Sequence, residues 1–224
     1  GTGLKLRIIA PDEEARLSVE GCRNLLDSSS QAVLVVDVGG GSTELSWLVR
    51  AGHGFETVGW MSAPVGVVTL AEGHPETPVD PLVWYEAMVT HMTRAIESAP
   101  VNGTVKALFD GGQAHLVGTS GAITSLAGIH LKLPRYQRDR VDGLWMTRGD
   151  CEAAARLLLD LGPEGRARNP CIGPDRADLV MAGAAILEAV QRAWPCERVR
   201  VADRGLREGL LLERMRSGRR RRRR

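Results

Sequence analysis

Apolar and polar positions recur along the chain with two periods, which predict strands and helices in turn. An apolar run, a glycine turn and a bulky, roughly alternating run predict a hairpin over residues 32–50. Apolar residues spaced along one face predict a helix from Pro81 to Ser98. The other predicted elements are, in chain order, a strand at Leu4–Ile9, a helix from Asp12 (its cap) to Leu26, a strand and turn at 56–70, a short strand ending at Leu116-Val117, helices at 121–131, 148–161 and 176–194, and a strand at Arg198–Ala202. This order predicts an α/β protein.

The turn of the hairpin carries the most informative residues. Asp37 and Glu44 flank it, and between them lie Gly39, Gly40, Gly41, Ser42 and Thr43. Glycines let the backbone turn sharply and bring its N–H groups close to an anion, and two carboxylates can hold a metal ion or orient a water. The pattern predicts a phosphate-handling loop, and the alternative is a plain glycine-rich hairpin turn.

Two better-known phosphate loops do not fit this turn. A P-loop requires a lysine, and none lies between Lys5 and Lys106. A dinucleotide-binding loop has glycine or alanine where Glu44 stands, and a helix rather than a strand follows it.

Five segments together resemble one family. Asp37 to Glu44 is similar to the signature of the exopolyphosphatase / guanosine pentaphosphate phosphohydrolase (Ppx/GppA) family. Four further segments agree in the same order, Glu13-Glu14-Ala15-Arg16-Leu17, Gly118-Thr119-Ser120-Gly121, Arg176-Ala177-Asp178 and Asp203-Arg204-Gly205-Leu206-Arg207-Glu208-Gly209. The resemblance runs from about Leu4 to Leu212.

The resemblance implies a fold and a division of the chain. The expected fold is the ribonuclease H-like second domain of an actin, sugar-kinase and heat-shock-chaperone type of protein. Residues 1–30 are expected to be the end of a first domain, 31–212 the second, phosphate-binding domain, and 213–224 a disordered arginine-rich tail. Family members begin with another phosphate-binding loop that this sequence does not contain. We therefore expect an N-terminally truncated chain with impaired activity.

The resemblance also assigns roles to individual residues. Glu14 is expected to be the general base, Asp37 to hold Mg²⁺ beside the substrate, and Glu44 to help position groups. Gly118, Thr119, Ser120 and Gly121 are expected to bind phosphate with Gly39, Gly40, Gly41, Ser42 and Thr43. The structural alternatives are that Glu13 and Glu14 only complement a helix dipole, and that Thr119 or Ser120 is an ordinary helix cap. Arg204 and Arg207 either contact substrate or form structural ion pairs.

Composition narrows the choice of partners. The formal net charge is +2, but Arg219–Arg224 supply six positive charges, so the rest of the chain is mildly acidic. That tail either holds a polyanion or has no function. We expect no nucleic-acid partner and no membrane segment, and the resembled family implies a cytoplasmic protein that is a homodimer at full length. The four cysteines and five histidines show no spacing typical of a metal site, and the cysteines are expected to be reduced.

These observations predict a phosphohydrolase that releases terminal phosphate from inorganic polyphosphate or from guanosine pentaphosphate. Two alternatives remain open. One is a noncatalytic module that binds polyphosphate or a guanosine alarmone, and the other is an actin-like ATPase.

Overall fold

The computed structural model describes residues 8–77 and 80–221. Its strands are β1 (Ala32–Val38), β2 (Thr43–Ala51), β3 (Gly54–Ala63), β4 (Ala114–Thr119), β5 (Trp145–Thr147) and β6 (Arg198–Ala202). Its helices are α1 (Pro11–Cys22), α2 (Val67–Gly73), α3 (Pro81–Ala95), α4 (Gly103–Asp110), α5 (Gly121–His130), α6 (Arg138–Val141), α7 (Arg148–Arg168), α8 (Leu179–Ala193) and α9 (Leu206–Arg221). Short 3₁₀ turns lie at Arg23–Leu25 and Pro174–Arg176.

The described strands form one mixed sheet in the order β3-β2-β1-β4-β6-β5. The first three strands are an antiparallel meander, β4 and β6 run parallel to β1, and β5 closes the far edge antiparallel to β6. The predicted α/β class is confirmed. The hairpin of β1 and β2 and the strand Arg198–Ala202 are also confirmed.

Both faces of the central strand are covered, which explains the uninterrupted apolar run in β1. Leu34 and Val36 pack into a large core with α3, α5, α7 and α8. Val33 and Val35 face the other way, into a smaller cluster with Val19 of α1. A strand that is buried on both faces loses the alternation that marks a half-exposed strand.

The amino-terminal helix differs in detail from its prediction. It begins at Pro11, so Ala10 occupies the N-cap position and the expected cap by Asp12 is wrong. Proline at the first helical position has no N–H that needs an acceptor, which removes part of the need for a side-chain cap. The predicted strand at Leu4–Ile9 lies mostly outside the described residues, and Ile8 and Ile9 are not in a strand.

The carboxyl-terminal segment also differs. Helix α9 continues to Arg221, so a disordered tail beginning at residue 213 is wrong for residues 213–221, whereas 222–224 lie outside the described residues. The start of this segment is held against α1, because Glu213 pairs with Arg16 and Arg216 pairs with Glu20. The predicted domain boundary near residue 30 stays a prediction, although α1 packs on the same sheet as the glycine hairpin.

Candidate active site

The strand register places the predicted carboxylates in one row across the sheet. Asp37 lies directly opposite Glu44 on β2 and opposite Thr119 on β4. Glu44 in turn lies opposite Ser62 on β3, whose hydroxyl donates to Glu44 Oε1 at 2.8 Å. Directly opposed residues project from the same face of a sheet, so the register alone brings these side chains together.

Helix α1 lies over this row and brings Glu14 to it. Ser18, one turn after Glu14, is buried and donates its hydroxyl to Asp37 Oδ2. Glu14 and Asp37 both line a cavity of about 250 Å³. The other residues that line it are Thr119, Ser120, Gly121, Ala202, Asp203, Arg204, Gly205, Leu206, Arg207 and Glu208. Segments from four of the five resembling motifs therefore meet close to one cavity.

Burial and neighbouring carboxylates together raise the pKa of Asp37 and of Glu14. Burial raises the pKa of Asp37 to about 6; the hydrogen bond from Ser18 opposes this rise, and the nearby charges of Glu44 and Glu14 add to it. Burial and then the charge of Glu44 raise the pKa of Glu14. A raised pKa makes a carboxylate a better proton acceptor near neutral pH, and an excess of negative charge attracts a cation.

The glycine loop presents N–H groups without acceptors. The carbonyls of Gly39 and Gly40 accept from the first amides of α2, with Val67 N and Val68 N each at 2.9 Å. Gly39 N donates to Ser42 O at 2.9 Å, whereas the amides of Gly40, Gly41 and Ser42 have no acceptor among the described residues. A run of unpaired backbone amides is a binding place for an anion.

The turn itself does not need the conformational freedom of its three glycines. None of the three loop glycines has a positive φ, so the turn does not require the left-handed region. A Cβ on Gly41 would point into open space, and one on Gly40 would only touch Val68. The demanding glycine is Gly66, which the sequence did not single out: its Cβ would lie 2.5 Å from the Gly40 carbonyl. Because Gly66 has no Cβ, α2 can approach the loop closely enough for its first amides to donate to the loop carbonyls.

Two predicted phosphate ligands make structural contacts. Thr43 is fully buried and its hydroxyl donates to Val65 O at 2.7 Å. Gly118 lies against α5, where a Cβ would meet Ile123 Cδ1 at 2.9 Å. Both positions serve the packing of the loop and the sheet, and their binding of phosphate stays a prediction.

At the start of α5, backbone amides rather than side-chain hydroxyls lack hydrogen-bonding partners among the described residues. Ser120 Oγ accepts from Ile123 N at 3.0 Å, and Thr119 Oγ1 donates to Arg204 O at 2.8 Å. The structural alternative of ordinary capping is therefore correct for Ser120. The amides of Gly121 and Ala122 have no acceptor in the part of the chain that the structure describes, and a helix N-terminus favours an anion.

The arginines near the cavity fall into two groups. Arg204 donates to both carboxylate oxygens of Asp142, and Arg138 pairs with Asp203, so these guanidinium groups have structural partners. Arg207 lines the cavity, and Arg176 lies against Gly121, with its guanidinium carbon 3.4 Å from where a Cβ would be.

The guanidinium groups of Arg207 and Arg176 have no hydrogen-bonding or ion-pair partner within the described ranges 8–77 and 80–221. They are the guanidinium groups that can meet an anion at this cavity.

Helix α1 is held in place by an unusually close contact with α9. A Cβ on Gly21 would lie 2.0 Å from Gly205 O, and one on Gly209 would lie 2.0 Å from Leu17 O. The terminal signature was noted for its arginines, whereas its glycines bring two helices together. Only the contact itself, between residues almost 200 positions apart, reveals this role.

The described residues thus form an α/β protein with a cavity lined by carboxylates and arginines, beside loops of unpaired amides. The chain belongs to the Ppx/GppA phosphatase family, whose model matches residues 1–218. Exopolyphosphatase 1 of Mycobacterium tuberculosis is 28% identical over 215 residues, which cover 96% of this chain and 60% of that protein. The guanosine-5'-triphosphate,3'-diphosphate pyrophosphatase of Photobacterium profundum is 30% identical over 224 residues, which cover 95% of this chain and 39% of that protein.

Solved structures agree with this assignment. The PPX-GPPA enzyme of Aquifex aeolicus has a TM-score of 0.76 at 26% identity, over 94% of this chain and 66% of that chain. The predicted actin and sugar-kinase type of fold is confirmed. The chain spans about 60% of the length of the mycobacterial relative. Among the described residues, no helix is both long and apolar enough to cross a bilayer.

Proposed function

We propose that this chain carries part of the active site of a phosphohydrolase that releases terminal phosphate from inorganic polyphosphate or guanosine pentaphosphate. One observation carries the proposal. Glu14, whose pKa is raised, and Asp37 line one cavity. Unpaired amides lie at the end of β1, the strand that carries Asp37. Proton acceptor, charge and anion-binding groups are thereby combined at one place. The names of the relatives supply the two candidate substrates.

In the proposed reaction, Glu14 takes a proton from the water that attacks the terminal phosphorus atom. The bond to the bridging oxygen breaks, and that oxygen leaves with the shortened substrate. The amides of Gly40, Gly41 and Ser42 stabilise negative charge on the transferred group. Phosphoryl transfer depends mainly on such positioning and charge stabilisation. Arg176 and Arg207 would hold the phosphates that do not react.

The residues present fit a divalent cation held by few protein ligands. Among the described residues no three His, Cys, Asp or Glu side chains form a ready-made metal cluster. Mg²⁺ does not need one, because it keeps several waters and often uses one or two carboxylates together with substrate phosphates. Asp37 would hold the ion, and the nearby charges of Glu44 and Glu14 favour a cation there. Bound Mg²⁺ would supply charge neutralisation for the phosphate oxygens.

Several finer expectations remain part of the proposal. Slow turnover by these 224 residues is expected from the family resemblance, which implies a site with two phosphate loops. A cytoplasmic location and a homodimer at full length have the same standing. Polyphosphate binding with no release would favour the sensing module, and release from ATP alone would favour the ATPase.

The glycine loop offers a direct test with a matched control. Gly41→Val places a branched side chain in the open space beside the unpaired amides, whereas Gly54→Val places one in equally open space at the far hairpin. We expect the first variant to lose binding of tripolyphosphate, measured by calorimetry, and release of phosphate from long-chain polyphosphate. The second is expected to match the unmodified chain. Unchanged binding in a folded Gly41→Val protein would show that the anion site lies elsewhere.

A further inference from the structure

The structure assigns Ser18 as a positioning residue: its hydroxyl holds one oxygen of Asp37, a residue that lines the cavity, and leaves the other oxygen to receive the divalent cation. This inference rests on the proposed function, because it concerns the residue assigned there to the metal ion. Ser18 belongs to none of the motifs that identify the family in this sequence.

The surroundings of Asp37 fix one of its two oxygens. Oδ2 accepts the Ser18 hydroxyl, and the same oxygen lies 3.7 Å from the place of a Cβ on Gly205. Oδ2 is thus enclosed by α1 on one side and by the start of α9 on the other. Oδ1 has no protein donor among the described residues, and Asp37 lines the cavity. The oxygen that is left over is the one that can bind a cation.

The position of Ser18 is unusual for a serine. Serine within a helix usually points to solvent or donates to the carbonyl four residues earlier. Ser18 is only 1% exposed, and its hydroxyl instead reaches Asp37, 19 positions further along the chain. A buried hydroxyl requires a partner, so this contact accounts for a polar residue on the face of α1 that is packed on the sheet.

The same contact links the two groups that the proposed reaction needs. Ser18 lies four residues after Glu14, so the two side chains project from the same face of α1. The bond to Asp37 therefore sets where the face of α1 that carries Glu14 lies relative to β1. Groups that orient metal ligands from behind typically change metal affinity by about 10–100-fold when they are removed.

A buried serine elsewhere provides a matched control. Ser125 of α5 is also 1% exposed and donates to Gly121 O at 2.7 Å, away from Asp37. Ser18→Ala and Ser125→Ala each remove one buried hydroxyl from a helix. If Ser18 were merely structural, the two substitutions would have the same effect on metal binding.

The test measures Mn²⁺ binding to the 224-residue chain at pH 7.5, with electron paramagnetic resonance as the readout. Mn²⁺ prefers the same oxygen ligands as Mg²⁺. We expect Asp37→Ala to abolish binding, Ser18→Ala to raise the Kd about 10-fold, and Ser125→Ala to leave it within about twofold. A Kd in the Ser18→Ala protein equal to that of Ser125→Ala would overturn the role of Ser18.

Failure of the metal assignment is distinguishable from failure of the contact. If the unmodified chain binds no Mn²⁺, the assignment of Asp37 as a metal ligand fails, and the role of Ser18 in orienting a metal ligand fails with it. A cycle of Ser18→Ala, Asp37→Ala and the double variant, followed by urea unfolding, then tests the contact alone. We expect the Ser18→Ala effect to shrink to less than half in the Asp37→Ala background. Full additivity would show that the two side chains do not interact.

Discussion

Buried ionisable groups have opposite surroundings at the two ends of the neighbouring strands β1 and β4. At the amino end, His115 is fully buried and both ring nitrogens have partners, Ser30 Oγ at 2.9 Å and Asp27 N at 3.3 Å. At the carboxyl end, Asp37 and Glu14 repel each other at an open cavity. Burial favours the neutral form of the ionisable groups at both ends. Only at the amino end do the hydrogen-bonding partners suit that neutral form.

The amino end of these strands serves stability, whereas the carboxyl end carries the groups of the proposed reaction. A neutral His115 with satisfied hydrogen bonds ties the loop at Asp27 and Ser30 to the sheet. At the carboxyl end, the folded protein would be more stable if one of the two carboxylates were replaced by a neutral residue or were protonated. Natural proteins retain such unfavourable groups mainly at functional sites.

The largest expected effect comes from separating α1 from the carboxyl end. In Gly209→Ala the new methyl group would lie 2.0 Å from Leu17 O, so the two helices must move apart. Overpacking of this kind typically costs about 1–3 kcal/mol, and a clash with backbone places this site at about 3 kcal/mol. Urea unfolding measures the change. Gly103→Ala is the control, because a Cβ there meets nothing within 4 Å; equal loss in both variants would contradict the tight helix contact.

The next effect concerns the amino end and its dependence on pH. Burial lowers the pKa of His115 to about 4 from its ordinary 6.5. The unfolded chain therefore takes up a proton first as pH falls, so the stability contributed by this group is present above pH 6.5 and is lost towards pH 4.

His115→Gln removes this dependence. The difference between its unfolding free energy and that of the unmodified chain should change by about 3 kcal/mol over this window. A difference independent of pH would show that His115 titrates normally in the folded protein.

An effect of similar size and opposite sign is expected at the carboxyl end. Burial raises the pKa of Asp37 to about 6 from its ordinary 3.8. The folded state then holds the proton more tightly, so the contribution of this group is greatest below pH 3.8 and is lost as pH rises through 6. Asp37→Asn should raise the free energy of unfolding by about 3 kcal/mol at pH 7.5, and this gain should disappear by pH 4.

Thermal or urea unfolding of both proteins across this range measures the gain. Glu56→Gln on β3 is a control, because Glu56 is an exposed carboxylate remote from the cavity. Stabilisation by Asp37→Asn that is equal at pH 4 and pH 7.5, or no stabilisation at all, would contradict the picture of a repelled carboxylate.

The sequence predicted the local parts of this site better than its long-range parts. Asp37 and Glu44 are seven residues apart, so the strand-turn-strand pattern was enough to place them opposite each other. Gly66 and Gly209 act through partners far along the chain, and nothing in their neighbours in sequence shows that a backbone will lie against them. Thr43 is predicted to bind phosphate from its place in a phosphate motif, and its buried hydrogen bond to Val65 is a further role that the motif did not show.

The central claim is that Glu14 is the proton acceptor at the carboxyl end of the sheet, and Glu14→Gln tests it most directly. The substitution keeps the shape of the side chain but removes its basicity, and general-base contributions are typically about 10²–10⁴-fold. Phosphate release from long-chain polyphosphate with Mg²⁺ should fall by that factor, while calorimetric binding of tripolyphosphate stays unchanged. Glu13→Gln, its neighbour in the first turn of α1, serves as the control. Release by Glu14→Gln within about threefold of the unmodified chain would contradict the account.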